Sequence, residues 1–273
     1  MREMSVGALQ VRHNTLAGKV VLLAGGTGGL GSATALLLAR EGARLVLGYR
    51  GNRARARQVR DRLCQLGAAV ELVEGDLGEP GAPEEYVRKA TALGPLTGIA
   101  VFAGDPARGA GDPARGTAAS AGEAEIERWQ ASWQTNFLAP YRLAQRSAQE
   151  MAAQKMAGSI VLVATMQAVA PFAQSAAYAA PKAALVHAAR VLASEFGGTT
   201  NLCVNVVAPG VTTAGMAQAS VASGKYERFL RDGVIPRYGS AEDVARVVRF
   251  LLEPDSYLTG QVITVDGGLT LRR

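Results

Sequence analysis

Seven runs of apolar residues recur along the chain, at 19–24, 43–48, 69–74, 98–103, 159–164, 201–208 and 261–266. Most are nearly continuous and rich in Val, Ile or Leu. A strand covered on one face alternates between apolar and polar residues; a strand covered on both faces does not. The runs therefore predict strands inside a parallel sheet. Between them, 29–41, 52–66, 84–93, 123–155, 176–196 and 241–252 have the length and spacing of helices. Strand alternating with helix predicts an α/β chain, a doubly wound parallel seven-stranded sheet with helices on both faces. Right-handed crossovers bring the strand C-termini to one edge, where such sheets bind ligands.

No internal boundary interrupts 16–273, which predicts a single domain. The extension at 1–15 has no continuous apolar stretch and does not read as a secretory signal. The segment 104–122 carries Asp-Pro-Ala-Arg-Gly twice, seven residues apart, and so much Pro and Gly disfavours helix and strand. It reads either as a mobile loop at the ligand edge or as a neutral surface insertion.

Composition narrows the class. Of 273 residues, 48% are hydrophobic and 19% charged, the balance of a globular chain rather than a disordered one. The apolar runs are strand-sized, far short of the ~20 residues of a membrane span. Two cysteines, Cys64 and Cys203, without a signal peptide predict a reducing, cytoplasmic setting. Two histidines with no paired Cys/His spacing predict no metal. The net charge of +6 is concentrated at Arg50, Arg53, Arg55, Arg57, Arg60 and Arg62. Without a nucleic-acid motif or an aromatic stacking pattern beside it, this cluster reads as a solvated helix face with one or two residues near a cofactor phosphate.

That phosphate has a place to sit. Val20-Val21-Leu22-Leu23 leads into Ala24-Gly25-Gly26-Thr27-Gly28-Gly29-Leu30-Gly31 and then a helical pattern. Glycines at this spacing allow a tight turn and close backbone approach to a pyrophosphate at a helix N-terminus, a Rossmann-like arrangement. An NAD site places an acid near the end of the second strand. Here that place reads Leu47-Gly48-Tyr49-Arg50-Gly51-Asn52-Arg53. A guanidinium binds a 2′-phosphate through charge-assisted hydrogen bonds, so NADP(H) is expected, with Arg50 first and Arg53 second. Asp76, at the end of the third strand, is either an adenine contact or a turn residue.

Tyr178 and Lys182 are four apart, on one face of a helix, and Thr165 lies thirteen positions earlier, just after an apolar run. A phenol, an ammonium and an alcohol converging on one point can protonate a carbonyl oxygen. With the glycine loop, Asp76, Ala103-Gly104, Asn136, Asn205-Val-Val-Ala-Pro-Gly210, Glu242-Asp243-Val244-Ala245, Tyr257-Leu-Thr-Gly-Gln-Val262 and Val265-Asp-Gly-Gly268, the chain resembles the short-chain dehydrogenase/reductase family from Leu16 onward, in its 3-oxoacyl-carrier-protein-reductase-like branch.

The resemblance implies NADPH-dependent reduction of a ketone or 3-oxoacyl group. Tyr178 would be the general acid, and Thr165 would orient the carbonyl. Lys182 would bind the nicotinamide ribose and favour tyrosinate, and Asn136 would hold a relay water. It implies cofactor contacts at Gly25, Thr27, Gly28, Gly29, Leu30, Gly31, Arg50, Arg53, Asp76, Leu77, Ala103, Gly104, Pro209, Gly210 and Thr212, besides Tyr178 and Lys182. It also implies a substrate flap over 211–238, and a homotetramer or dimer that uses 123–155, 176–196 and the last strand. Met166, Phe172 and Met216 are the candidate pocket residues, with Lys225 and Arg228 close by.

Several residues depart from the family pattern. Thr165 replaces the usual Ser, and Ala24 replaces a Thr. Val101-Phe102 replaces two amides that tie the fourth strand to its neighbours. Ala214 stands where a Thr is expected, with Thr212 or Thr213 able to substitute. Pro181 lies inside the Tyr/Lys pair, so the helix either begins near Tyr178 or has a distorted first turn. These departures define the alternative, a non-catalytic or weakly active NADP(H)-binding subunit or sensor of the same fold.

Overall fold

The computed structural model describes residues 15–105, 123–253 and 256–272. Seven strands pair in parallel in the order β3-β2-β1-β4-β5-β6-β7. They are β1 (Val20–Ala24), β2 (Arg44–Tyr49), β3 (Val70–Glu74), β4 (Leu96–Val101), β5 (Gly158–Val163), β6 (Leu202–Pro209) and β7 (Val262–Val265). The helices are α1 (Gly29–Arg40), α2 (Arg53–Cys64), α3 (Ala82–Thr91), α4 (Glu123–Trp133), α5 (Ala139–Ala153), α6 (Ala176–Thr200), α7 (Gln218–Ala222), α8 (Glu227–Arg231), α9 (Ala241–Leu251) and α10 (Leu269–Arg272).

Each strand feeds two cores, which is why the apolar runs do not alternate. In β1, Val20, Leu22 and Ala24 face a cluster with Leu143 and Met151 of α5 and Leu185 and Leu192 of α6. Val21 and Leu23 face the opposite cluster, with Leu38 of α1, Leu63 of α2 and Val244 and Val248 of α9. A third, smaller cluster joins Met166, Val211, Phe229, Ile235 and Leu269.

The structure corrects four boundaries. Strand β4 begins two residues earlier than 98–103, because a register shift between Val20 and Val21 lets Leu96 pair with Val20. It ends at Val101, after which the Phe102 N–H still donates to the Ala24 carbonyl at 2.8 Å. The third helix starts earlier than 84, behind Gly81 at φ +79° with Pro83 in its first turn, an order in keeping with the preference for proline at a helix start. The predicted helix 123–155 is interrupted at Gln134–Leu138 by a wider π turn, in which the Ala139 N–H reaches back to Gln134. Pro140 follows directly in the first turn of α5 and has no N–H to offer the Asn136 carbonyl four residues back. Finally, α6 passes through Gly197-Gly198 and stops at Asn201, which takes the left-handed conformation. The expectations for 1–14 and 106–122, most of the extension and of the inserted loop, fall outside the described residues.

Candidate active site

The sheet edge opens between β1 and β4, where the chain leaves one side of the sheet and resumes on the other. The glycine loop follows β1 there. Gly25 has φ +77°, and a Cβ on it would lie 3.2 Å from the Ala103 nitrogen. A Cβ on Gly31 would lie 2.3 Å from the Gly25 carbonyl oxygen, so α1 can start this close to the loop only with glycine. The first turn of α1 carries N–H groups without intrahelical acceptors, a suitable seat for a phosphate. Gly29 faces the other wall: a Cβ there would lie 2.5 Å from the Gly215 nitrogen. Thr27 is buried, and Leu30 packs against the second core. Across the edge, Gly210 donates to Val265 at 2.9 Å, and Thr212 is buried with its hydroxyl donating to the Ala214 carbonyl at 3.0 Å. This cradle fits the pyrophosphate of a nicotinamide dinucleotide.

At the ends of β2 and β3, the two candidate arginines differ. Arg50 is exposed and 3.6 Å from Asp76. Arg53 is engaged: its guanidinium pairs with Glu74, which also accepts the Tyr49 hydroxyl at 3.3 Å. The Arg53 cation holds the Glu74 carboxyl below its usual range. Asp76 is built as a turn residue, accepting the Gly78 N–H at 2.9 Å, and Leu77 is buried in the first core.

The structure brings Asn136, Lys182 and Gly104 together. A Cβ on Gly104 would lie 3.1 Å from both Asn136 Oδ1 and Lys182 Nζ. Lys182 is 2% exposed and donates to the Val163 carbonyl at 3.0 Å. Burial pulls its ammonium down to about 8. Tyr178, one turn earlier on α6, is hydrogen-bonded to Thr165; burial pushes its phenol up to about 12, opposed by Thr165 and assisted by the Asp105 carboxylate. Thr165 itself caps the short 3-10 helix Met166–Ala168, accepting the Gln167 N–H at 3.3 Å.

Asn136 is fully buried, and both of its amide protons go to protein: to the Asp105 carbonyl at 2.8 Å and to Ser132 Oγ at 3.0 Å. Its Oδ1 accepts the Asp105 N–H at 3.0 Å. A water on these amide protons would have to displace a protein partner. Gln134 ties the same turn to the loop after β3, donating to the Gly78 carbonyl at 3.1 Å. The amides absent at Val101 and Phe102 are replaced by apolar packing, Val101 in the first core and Phe102 against the second. Ala103 also packs against the first core.

Of the candidate pocket residues, Met166 is buried in the third cluster and Phe172 packs on it, but Met216 is 41% exposed and outside that cluster. A cavity of about 390 Å³ is lined by Phe172, Ala173, Arg228, Phe229 and Thr270, with the Arg228 guanidinium 4.7 Å from the Phe229 ring centre. Sequence reasoning missed Ser132, Gln134, Asp105 and Gly215. The first three lie beside or within the π turn, and the available signal was Pro140. Among the described residues, no group of His, Cys, Asp or Glu could hold a metal, and no helix is long and apolar enough to cross a membrane.

Comparison with known proteins agrees with this geometry. The family profile described as enoyl-(acyl carrier protein) reductase matches residues 24–270. The 3-oxoacyl-[acyl-carrier-protein] reductase FabG of Thermotoga maritima is 30% identical over 94% of this chain and 99% of its own length. A cyclic-di-GMP-binding biofilm dispersal mediator protein of Escherichia coli is 32% identical, over 92% of this chain and 96% of its own. Among solved structures, a short-chain type dehydrogenase/reductase from Mycobacterium ulcerans superposes with a TM-score of 0.83 at 28% identity, covering 94% of this chain and 92% of that one. An actinorhodin polyketide ketoreductase variant with NADPH reaches 0.78 at 26% identity, over 93% of this chain and 98% of that one. With the sheet order, the glycine cradle and a profile match spanning nearly the whole chain all in agreement, the protein belongs to the short-chain dehydrogenase/reductase family.

Proposed function

We propose that this oxidoreductase uses NADPH to reduce a ketone or 3-oxoacyl carbonyl to an alcohol. The observation that carries the reading is the Tyr178–Thr165 pair one helical turn from a fully enclosed Lys182, whose Nζ lies against Gly104, next to the Ala103 that packs on Gly25. When bound, the nicotinamide supplies the hydride. Tyr178 gives its phenolic proton to the substrate oxygen, a step worth roughly 10²–10⁴-fold in rate. Burial pushes the phenol up to about 12, so it is protonated at neutral pH, the state a proton donor needs. Thr165 orients the carbonyl, and Lys182 holds the ribose and places a positive charge near the phenol as it loses its proton. Asn136 fixes the backbone of residue 105 against this centre. Arg50 is the residue proposed for the 2′-phosphate, with Arg53 available only by leaving Glu74.

The cavity beside Phe172 and Phe229 is open and offers more polar than apolar surface, and Arg228 at its wall suits a carbonyl compound that carries an acidic group. NADPH and NADH consumption should be measured across 3-oxoacyl thioesters, bulky polycyclic ketones, diketones and quinones. Turnover with a preference for NADPH is expected. Binding of NADPH with no turnover of any carbonyl would move the protein to the non-catalytic reading.

A further inference from the structure

The helix that carries Tyr178 and Lys182 is damaged by its own sequence. Pro181 is its sixth residue, between the two functional side chains. A proline there has no N–H to give the carbonyl four residues back, and its ring crowds that carbonyl. The orphaned acceptor is Ala177, immediately before Tyr178. A carbonyl left unpaired in this half-buried place would loosen the turn that aims both side chains.

It is not left unpaired. Ser132, 3% exposed on α4, donates its hydroxyl proton to the Ala177 carbonyl at 2.6 Å. The same Oγ accepts an amide proton of Asn136 at 3.0 Å. Asn136 in turn holds residue 105 through its N–H and its carbonyl. One hydroxyl thus joins the Tyr178 turn, the π turn and the segment after β4. We propose that Ser132 is a positioning residue for the reaction: it supplies the hydrogen bond that Pro181 removes from the catalytic helix, and so holds Tyr178 and Lys182 in register with Asn136. Ser132 touches neither the substrate nor the cofactor.

The proposal rests on the reductase reading, and its chemistry is specific. If Ser132 replaces one missing backbone bond, restoring that bond must make the hydroxyl dispensable. Ser132→Ala should lower kcat about tenfold, equivalent to about 1.4 kcal/mol, with a smaller change in KM for NADPH. Pro181→Ala, which returns an N–H to the Ala177 carbonyl, should rescue the Ser132→Ala protein to within about threefold of Pro181→Ala alone, a coupling that a general packing role would not produce. Ser132→Thr, which keeps the hydroxyl, should retain most of the rate.

The same four proteins should be unfolded in denaturant, because that coupling can be read without any substrate. Non-additive midpoints with the predicted rescue would support Ser132 even if no carbonyl in the panel were turned over, a result that would count against the reductase reading alone. Additive losses, or a Ser132→Ala protein indistinguishable from the parent, would overturn the proposal while leaving that reading intact.

Discussion

The two ends of the proposed site are built by different means. At the catalytic end, Lys182, Asn136 and Ser132 are buried, and each has a named partner at 3.0 Å or less. At the adenosine end, Arg50, Arg53, Glu74 and Asp76 are solvent-accessible and meet as ion pairs. Buried directional bonds fix a side chain, because breaking one strands a desolvated partner. Exposed ion pairs contribute little and can exchange partners. Proton transfer needs the first kind of construction; recognition of an incoming phosphate can use the second. Substitutions at the two ends should therefore fail differently, one end through kcat and the other through KM.

The sharpest break in the comparison is Lys182→Met, which should lower kcat by roughly 10²-fold or more if the ammonium supports proton donation. Stability should move the other way. Burial pulls the ammonium down to about 8, whereas an unfolded lysine keeps its proton to ~10.4. Between those values the unfolded chain binds more protons, so the parent gains stability as pH rises, and below 8 the cost of the buried cation is fully present. The Met variant should therefore unfold at a higher temperature at pH 7, with the advantage shrinking from pH 8 to pH 10. Thermal unfolding followed at several pH values checks this, and a constant difference would contradict it.

At the other end, Arg50→Glu should raise KM for NADPH roughly tenfold at low salt, leave kcat nearly unchanged, and lose much of its effect at high ionic strength. Steady-state kinetics at two salt concentrations reads all three. A fall in kcat instead would mean that the exposed end also positions the chemistry. The smallest effect belongs to Glu74→Gln. Freeing Arg53 from its carboxylate should lower KM for NADPH by about threefold or less. An increase in KM would show that Glu74 holds Arg53 where the phosphate needs it.

Much of this was legible in the chain, for identifiable reasons. The strands stood out because both faces are buried, so apolar residues run on as in Val20-Val21-Leu22-Leu23. The candidate catalytic residues stood out because a helix keeps positions 178 and 182 on one face wherever it starts. Events that depend on partners distant in sequence were hidden. The early start of β4 needs the irregular pairing of Leu96 with Val20, and the engagement of Arg53 needs Glu74 on the neighbouring strand. Prolines were the underused signal. Pro140 marks the π turn around Asn136, and Pro181 marks the carbonyl that Ser132 satisfies. Both were visible, but the partner that compensates for the second lies 45 residues from the freed carbonyl.

The most direct test of the central claim is NADPH oxidation by the parent and by Tyr178→Phe on any carbonyl the parent turns over, with NADPH binding followed by nicotinamide fluorescence in both. The account predicts a loss of roughly 10²–10⁴-fold in kcat with NADPH still bound, since one phenolic proton is removed and the cradle is untouched. A Phe variant that reduces the same carbonyl at the parental rate would contradict it.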